Sequence, residues 1–570
     1  MANFYTDHPE IQFNVESSPL MEKIVALKEH DFADKDNFDY APENFADAMD
    51  SYNRVCEIAG EITANTIFPN SEAVDAEGPH CENGRVRYAS KTYENLEATR
   101  KAGLNGVTMP RRYGGLNFPV TVYTAINEMI ASADAGFENI WSLQDCIETL
   151  YEFGNDDQRS RYIPRVCAGE TMSMDLTEPD AGSDLQRVML KATYSEEDKC
   201  WYLNGVKRFI TNGDSDIHLV LARSEEGTHD ARGLSMFIYD KRDGGVTVRR
   251  IENKMGIHGS PTCELVYKNA KAELCGSRKR GLIKYVMALM NGARLGIAAQ
   301  SVGISQTSYD EALAYAKDRK QFGTEIVNFP AVYEMLSTMK AKLDAGRALL
   351  YETARYVDIY KGLEDMERER PLTPEEKQEL KKFDKLATAL TPLAKGMNAE
   401  FANQNSYDCI QVHGGSGYML EYASQRLYRD ARITSIYEGT TQLQTVAALP
   451  HLSTGEYSAI IAELEAQPVA PEFEALAARA KAMSAKFNEV LEAVKTTGDK
   501  ELLDLACRHL YELAAYCIMT QLLLRDATKN AAMFGKSLKV FVNYAEAEVA
   551  KHYNFVKSLK VEGIESYKQG

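Results

Sequence analysis

Trp201-Tyr-Leu-Asn-Gly-Val-Lys-Arg-Phe-Ile210 decides the fold. Apolar and polar residues alternate through it, the period of a half-buried strand rather than of a helix. Asn204-Gly205, set between two such runs, predicts the turn of a β-hairpin, because both residues accept positive φ at low cost. The pattern extends outward on both sides. It begins near Met172, continues through His218 to Ala222, Leu234 to Tyr239, Gly244 to Val248 and Glu264 to Tyr267, and ends near Cys275. Short strands joined by turns, with no helices between them, predict an antiparallel barrel or sandwich.

The flanks are helical. From Tyr40 to Glu170 apolar residues recur at helical spacing, as in Val55, Ile58, Ile62 and Ile67, and again over Tyr93 to Leu104 and Val120 to Tyr151. Pro69 to Tyr88, with Gly78, Pro79, Asn83 and Gly84, predicts a loop. Beyond the strands, Leu282 to Lys317, Ala331 to Tyr360 and Leu386 to Gln411 predict long helices. The charged stretch between the last two reads as a solvated loop and a helix start, with Thr373 as N-cap. After Pro468 and Pro471 three more helical patterns follow, Phe473 to Lys495, Lys500 to Asn530 and Leu538 to Lys560. Helices segregated from strands indicate α+β. The expected domains are an N-terminal arm (1–39), an N-terminal helical domain (40–171), a middle antiparallel β-domain (172–280), a C-terminal helical bundle (281–450) and an extra C-terminal helical domain (451–570).

Composition narrows the function. The 570 residues are 44% hydrophobic and 26% charged, with a net charge of -18. That charge argues against nucleic acid as a partner. A local basic pocket for a small anion could come from Arg249, Arg250, Lys254 and Arg278 to Arg280. Ten scattered cysteines form no C-x-x-C pair, and no histidines lie at metal spacing, so reduced thiols and no metal are expected. Met1 to Glu10 lacks the basic and apolar regions of a signal peptide. Leu510 to Leu524 is interrupted by Glu512, Thr520 and Gln521, short of the ~18 apolar residues of a spanning helix. A cytoplasmic protein without membrane contact is the expectation. No P-loop, Rossmann fingerprint or hydrolase elbow is present.

A second stretch carries chemistry: Arg429-Asp-Ala-Arg-Ile-Thr-Ser-Ile-Tyr-Glu-Gly-Thr-Thr-Gln442. Glu438 stands between Tyr437 and a glycine that lets backbone approach a ligand. Thr440 or Thr441 can cap the helix that follows, whose first N–H groups are open to a polar or anionic group.

Six segments in order resemble those of the acyl-CoA dehydrogenase family of flavoproteins, over about residues 40–449. They are Thr177-Glu-Pro-Asp-Ala-Gly-Ser-Asp184, Lys207-Arg-Phe-Ile-Thr-Asn-Gly213, Lys254-Met-Gly-Ile-His-Gly-Ser-Pro-Thr262, Arg319-Lys-Gln-Phe-Gly323, Gln411-Val-His-Gly-Gly-Ser-Gly-Tyr418 and Ile436-Tyr-Glu-Gly-Thr-Thr-Gln442. Phe209 replaces the family's usual Trp. The chain's length is similar to that of a longer subgroup that includes 3-methylmercaptopropionyl-CoA dehydrogenase and broad-range members. The resemblance implies helical N-terminal and middle β domains and a C-terminal four-helix bundle, with FAD bound across a subunit interface of a homodimer.

The resemblance also implies roles. Glu438 would take the α-proton of an acyl-CoA thioester, and its backbone N–H would donate to the thioester oxygen. A buried carboxyl beside an acyl chain would have a raised pKa. The β-hydrogen would leave as hydride to FAD, and electrons would pass to an electron-transfer flavoprotein. Met174, Leu176, Thr177, Ser183, Phe209, Thr211, Arg319, Gln321, Phe322, Gln411, Gly415, Thr440 and Gln442 would hold FAD. Ser183, Arg294, Tyr437 and Gly439 would meet the substrate, and His413 would have no chemistry. The alternatives are an acyl-CoA oxidase using oxygen and a catalytically silent scaffold that binds CoA or a partner.

Overall fold

A computed structural model describes residues 2–569 and divides into two compact units, Met1–Gly296 and Ile297–Gly570.

In the first unit the N-terminal stretch is structured. Helices Pro9–Glu16 and Met21–Lys28 bury Ile11, Val15, Ile24 and Val25, and Phe4 packs on Phe68 with ring centroids 5.7 Å apart. Its amphipathic runs are only two turns long, too short to show a period in the sequence. The predicted loop at 69–88 is shorter than expected. A helix Phe68–Glu77 accepts Pro69 in its first turn, where no N–H is needed, and a small hairpin His80–Glu82/Arg85–Arg87 follows. The predicted helix over 120–151 is broken at Asp134. This residue is extended (φ -155°), and its Oδ1 accepts the N–H groups of Gly136 and Phe137 at 2.8 and 3.0 Å, restarting the helix as a cap.

The strands form a closed barrel. Neighbours run in the order Ile217–Arg223, Lys191–Ser195, Cys200–Thr211, Thr262–Cys275 and Leu234–Asp240, and the last pairs back onto the first. Leu203, Val220, Phe237, Tyr239, Leu265 and Tyr267 fill one core of the unit. The sheet is not wholly antiparallel: Met172–Asp175 pairs in parallel with Ile217–Arg223. Asn204-Gly205 is not a hairpin turn. It lies inside the long strand Cys200–Thr211, at a bulge between Leu203 and Gly205. Gly205 has φ +144°, and a Cβ there would sit 3.2 Å from the Leu190 Cα. The residues that suit a turn here serve a bulge with the same backbone need. The hairpin reverses instead between Ser195 and Cys200, where Lys199 has φ +52°. Four of the six basic residues proposed for an anion pocket are in ion pairs, Arg249 and Arg250 with Glu264, and Arg278 and Lys279 with Glu225, and Lys254 donates to the Ser260 carbonyl at 2.6 Å.

The second unit is helical. Helices Pro330–Glu369 and Pro374–His413 lie antiparallel, joined by a short turn. Both are longer than predicted, because the charged residues after Tyr360 extend the first helix to Glu369. Thr373 caps the second in a reciprocal box with Glu376. Ala423–Thr434 and Thr441–Ser453 follow, then Glu456–Glu465 and the helices Glu474–Thr496, Lys500–Lys529 and Ala531–Ser558. The apolar face of Lys500–Lys529 is covered by protein: Leu510, Leu513, Ile518, Leu522 and Leu523 are buried. Burial pushes the Glu352 carboxyl up, and Arg525 and Arg355 overcome it to hold the group far below its ordinary range. Both guanidinium groups stand 2.8 Å away. Among the described residues, one helical stretch, Gly281–Asp318, is long and apolar enough to cross a membrane by length and composition. The buried Leu510 to Leu524 segment is not.

Candidate functional site

Glu438 sits in a loop that the chain ties down on both sides. The helix Ala423–Thr434 ends, and the N–H groups of Ile436 and Tyr437 fold back onto the Ile433 carbonyl at 2.8 and 3.1 Å. Glu438 and Gly439 then take φ +53° and +89°. Positive φ costs a glutamate of order 1 kcal/mol and persists only where surroundings impose it. The Thr441 N–H closes the loop on the Ser435 carbonyl at 3.0 Å, and Thr441 Oγ1 donates to Glu400 at 2.8 Å. Thr440 is the cap of the next helix, its hydroxyl accepting the Leu443 N–H at 3.3 Å. The Tyr437 hydroxyl donates to the fully buried Gln300. Two further donors reach the loop from beneath: Lys395 Nζ to the Gly439 carbonyl at 2.7 Å, and Gln444 Nε2 to the same oxygen at 3.0 Å and to the Glu438 carbonyl at 3.3 Å.

The expected flavin residues of the first unit surround one strand and one bulge. Met174 is half-buried on Met172–Asp175, Leu176 buried, Thr177 half-buried and Ser183 exposed. Phe209 falls at a second irregularity of the long strand, with φ +59°, and its ring is 53% exposed. The Arg208 guanidinium lies 4.7 Å from that ring. Thr211 is half-buried and pairs with Thr262. Lys207 fixes these pieces together. It is fully buried, and its Nζ donates to the Leu176 carbonyl at 2.8 Å and to Glu178 at 3.0 Å. The Arg208 N–H donates to the Thr177 carbonyl at 2.9 Å. Nearby, Asp175 accepts from Ser173 at 2.8 Å, from the Tyr267 hydroxyl, and pairs with His218 at 2.8 Å.

In the second unit Arg319, Gln321, Phe322, Gln411 and Gly415 are exposed, at one end of the bundle. Phe322-Gly323 turns a tight hairpin with φ +51° and +85°, and Phe322 is 97% exposed. Tyr315 joins this hairpin to the 414–418 turn by stacking on His413 at 4.3 Å and donating to Ser416 at 3.3 Å. His413 is buried, with its pKa lowered by burial. Thr440 and Gln442 lie elsewhere, on a groove of about 720 Å³ that Lys342, Glu400, Asp408 and Tyr544 also line. Along helix Pro374–His413, Gln411 is sixteen residues past Lys395, roughly 24 Å at the helical rise. Arg294 belongs to the first unit, where its guanidinium donates to Asn291 at 3.3 Å.

Sequence reading had assigned no role to Lys395, Gln444, Gln300 or Lys207. Lys395 did carry a signal, as a lone charge in the apolar run Leu393-Ala-Lys-Gly-Met397. Glu512, Glu548 and His552 also converge, from two helices, in a way their spacing did not show. Arg508 binds Glu512 and Lys551 binds Glu548, so the cluster is an ion-pair network.

Comparisons with known proteins agree with this layout. Family models of the acyl-CoA dehydrogenase N-terminal domain, middle domain and C-terminal domain match residues 56–170, 173–270 and 280–448, and "Acyl-CoA dehydrogenase C terminal" matches 453–564. The chain is 34% identical over 423 residues to 3-methylmercaptopropionyl-CoA dehydrogenase of Ruegeria pomeroyi, covering 70% of this chain and 69% of that one. It is 34% identical over 410 residues to 3-(aryl)acrylate reductase of Clostridium sporogenes, covering 71% of this chain and 98% of that one. A solved acyl-CoA dehydrogenase of Bacillus anthracis complexed with FAD shares the fold at a TM-score of 0.75 and 22% identity, over 91% of this chain and 90% of that one. The chain belongs to the acyl-CoA dehydrogenase family.

Proposed function

We propose that the chain is an FAD-dependent dehydrogenase that removes the α and β hydrogens of an acyl-CoA thioester, with Glu438 as the base and an electron-transfer flavoprotein as acceptor. The observation that carries this reading is the Glu438 loop. A carboxylate is placed at positive φ next to a glycine, on a backbone held by three hydrogen bonds from two donors, Lys395 and Gln444. Such strain is characteristic of functional sites. The α-proton is weakly acidic, so its removal needs a fixed base and a donor at the thioester oxygen. The Glu438 N–H is the donor we assign, and Gly439 leaves room for the thioester.

The residues present fit FAD. In the first unit Phe209 is an exposed aromatic residue two positions before Thr211 on one strand, and the neighbouring Arg208 N–H donates to the Thr177 carbonyl. Phenylalanine keeps the stacking surface of the usual Trp and loses its N–H donor. In the second unit Thr440 and Gln442 open on a polar groove of hydroxyl and amide groups, the cations Lys342 and Arg432 and the carboxylates Glu400, Asp408 and Glu548, whose neutral donors and acceptors suit a hydroxylated cofactor arm. When bound, the flavin supplies the hydride acceptor. Arg319, a planar two-pronged donor, suits a pyrophosphate.

The arrangement within one chain also favours a homodimer. The Arg319 and Gln411 end stands roughly 24 Å along the helix from the Glu438 loop, so we assign it to the flavin of a second copy. Phe322 (97% exposed), Tyr418 (79%) and Leu420 (77%) form the apolar surface that such a copy would cover.

A second reading has support from the 3-(aryl)acrylate reductase relative: the same residues run the reaction toward saturation, with Glu438 returning the proton. One experiment addresses both. A panel of acyl-CoA thioesters is mixed anaerobically with the oxidised protein, and enoyl-CoA thioesters with the reduced protein, following flavin absorbance. Bleaching by a saturated thioester, lost in Glu438→Gln with FAD retained, is the expected result. Reoxidation by enoyl-CoA without any bleaching would favour the reductase, and stoichiometric peroxide under air would favour an oxidase. Bleaching that survives in Glu438→Gln would remove Glu438 from the mechanism. Light scattering of the FAD-loaded protein should give a dimer; a loaded monomer would refute the assembly.

A further inference from the structure

We propose that Lys395 is a positioning residue for the Glu438 base, fixing the Glu438–Gly439 backbone and lowering the proton affinity of the carboxylate by its charge. The inference rests on the reading of Glu438 as the base.

Lys395 occupies the middle of helix Pro374–His413 and is fully buried. Burying an ammonium costs several kcal/mol unless it is used, and leucine or methionine would fill the same space without that cost. Its Nζ donates to the Gly439 carbonyl at 2.7 Å. Gln444 adds bonds to the Gly439 and Glu438 carbonyls at 3.0 and 3.3 Å. Two successive carbonyls are thereby held toward Lys395 and Gln444. Peptide units are planar and trans, so the N–H groups of Gly439 and Thr440 are turned the opposite way. The left-handed φ of Glu438 is imposed from below by these donors.

The charge has a second consequence. A cation one peptide away favours the ionised form of a carboxyl. Among the described residues, the other charged and titratable groups around the loop include Tyr437 within it, Glu400, Tyr407 and Asp408 on the same helix, Tyr428, Arg429, Asp430 and Arg432 on the preceding helix, Arg508 and Tyr511 on Lys500–Lys529, and Lys342, Tyr544 and Glu548 on the groove that Thr440 and Gln442 line. Glu400 receives the Thr441 hydroxyl at 2.8 Å and stands 3.8 Å from Arg508. Arg432 donates to the Ser435 hydroxyl at 2.6 Å. The Tyr511 hydroxyl donates to Pro392 at 2.9 Å. Lys395 is thus a cation bonded directly to the backbone carbonyl that follows the base.

The test compares Lys395→Met and Gln444→Leu, with Glu438→Gln as control. For FAD-loaded Lys395→Met the expected loss in kcat is about 100-fold with KM little changed, the scale of a misplaced catalytic group. Removing the cation raises the pKa of the base, so the acid limb of the kcat profile should move to higher pH. Hydrogen exchange of the 435–441 amides in the flavin-free protein should quicken, a readout independent of turnover. Gln444→Leu keeps the ammonium; it should quicken exchange and lower kcat by about 10-fold while leaving the acid limb in place. Folded, loaded Lys395→Met with near-wild-type kcat and an unmoved limb overturns the inference. Should that variant not fold, Gln444→Leu decides, and unchanged exchange and kcat overturn it. Turnover surviving in Glu438→Gln would instead remove the base itself, separating failure of the reading from failure of the inference.

Discussion

Replacing Lys207 by methionine keeps the length of the side chain and removes one buried charge. Lys207 is fully buried, and it bonds the Leu176 carbonyl at 2.8 Å and Glu178 at 3.0 Å. Burial pulls its pKa down and Glu178 opposes that pull. In the variant Glu178, only 8% exposed, keeps the backbone N–H groups of Met189 and Leu190 at 2.7 and 2.9 Å but loses its counter-ion. Breaking a buried pair costs about 3 to 5 kcal/mol, and the two remaining donors place this case at the lower end, about 3 kcal/mol. At about 2–4 °C per kcal/mol, the first unit should melt roughly 6–12 °C lower. The chain has two tryptophans, Trp141 and Trp201, both in the first unit, so tryptophan fluorescence reports that unit alone. The double variant Lys207→Met/Glu178→Gln removes the uncompensated charge and should recover more than half of the loss. A single variant melting within about 2 °C of wild type would refute the reasoning, as would a double variant at the sum of the two single losses. The Leu176 carbonyl is freed by the same substitution, so FAD retention should weaken in parallel.

Two further perturbations follow from the same structure. Gly205→Ala places a Cβ 3.2 Å from the Leu190 backbone at φ +144°, and should lower stability by about 2 to 3 kcal/mol by tryptophan-monitored urea unfolding; a loss below about 0.5 kcal/mol would remove the steric argument. Acid should weaken the second unit through His509 and Glu512, whose pKa values are held down to about 4 and about 2. Burial, then the charge of His552, lowers His509. For Glu512 burial acts upward and is outweighed by His552 and Arg508. Both depressed groups bind more protons when unfolded, so stability rises with pH. The His509 part is fully present above about pH 6.5 and is lost toward pH 4, and the Glu512 part is lost between about pH 4.5 and 2. His552, with a raised pKa, works the other way and loses its contribution as pH climbs through its folded value. His509→Phe should flatten the urea midpoint of the helical signal between pH 6.5 and 4, by about 1 to 2 kcal/mol once its half exposure is allowed for; an unaltered slope would contradict the assignment.

Much of the fold was legible because period and length are local. Alternation through Trp201 to Ile210 marked the strand, and Thr373 marked a helix start to the residue. What escaped was set by distant contacts. Asn204-Gly205 has the chemistry of a turn, yet the Leu190 backbone approaches there and pairing with Thr262–Cys275 continues, so the strand bulges instead. Asp134 broke a continuous helical pattern because its side chain caps the next helix, an outcome periodicity does not weigh. At the site, Glu438, Thr440 and Gln442 were readable from one contiguous motif. Lys395 was not, since it is forty-four residues from Gly439 in sequence and only helix packing brings the two together.

The contact of Tyr511 with the bundle has a consequence for how the chain holds together. Its fully buried hydroxyl donates to the Pro392 carbonyl at 2.9 Å, and any side chain larger than hydrogen at Gly396 would overlap it. Cys507 reaches the Thr445 carbonyl on the helix that follows the Glu438 loop at 3.4 Å. The last hundred residues are therefore wedged against the neighbours of Lys395 rather than appended to the surface. Truncation before Glu456 would uncover an apolar seam directly behind the site, and a nick in the 466–473 linker should leave two fragments that stay together and melt as one.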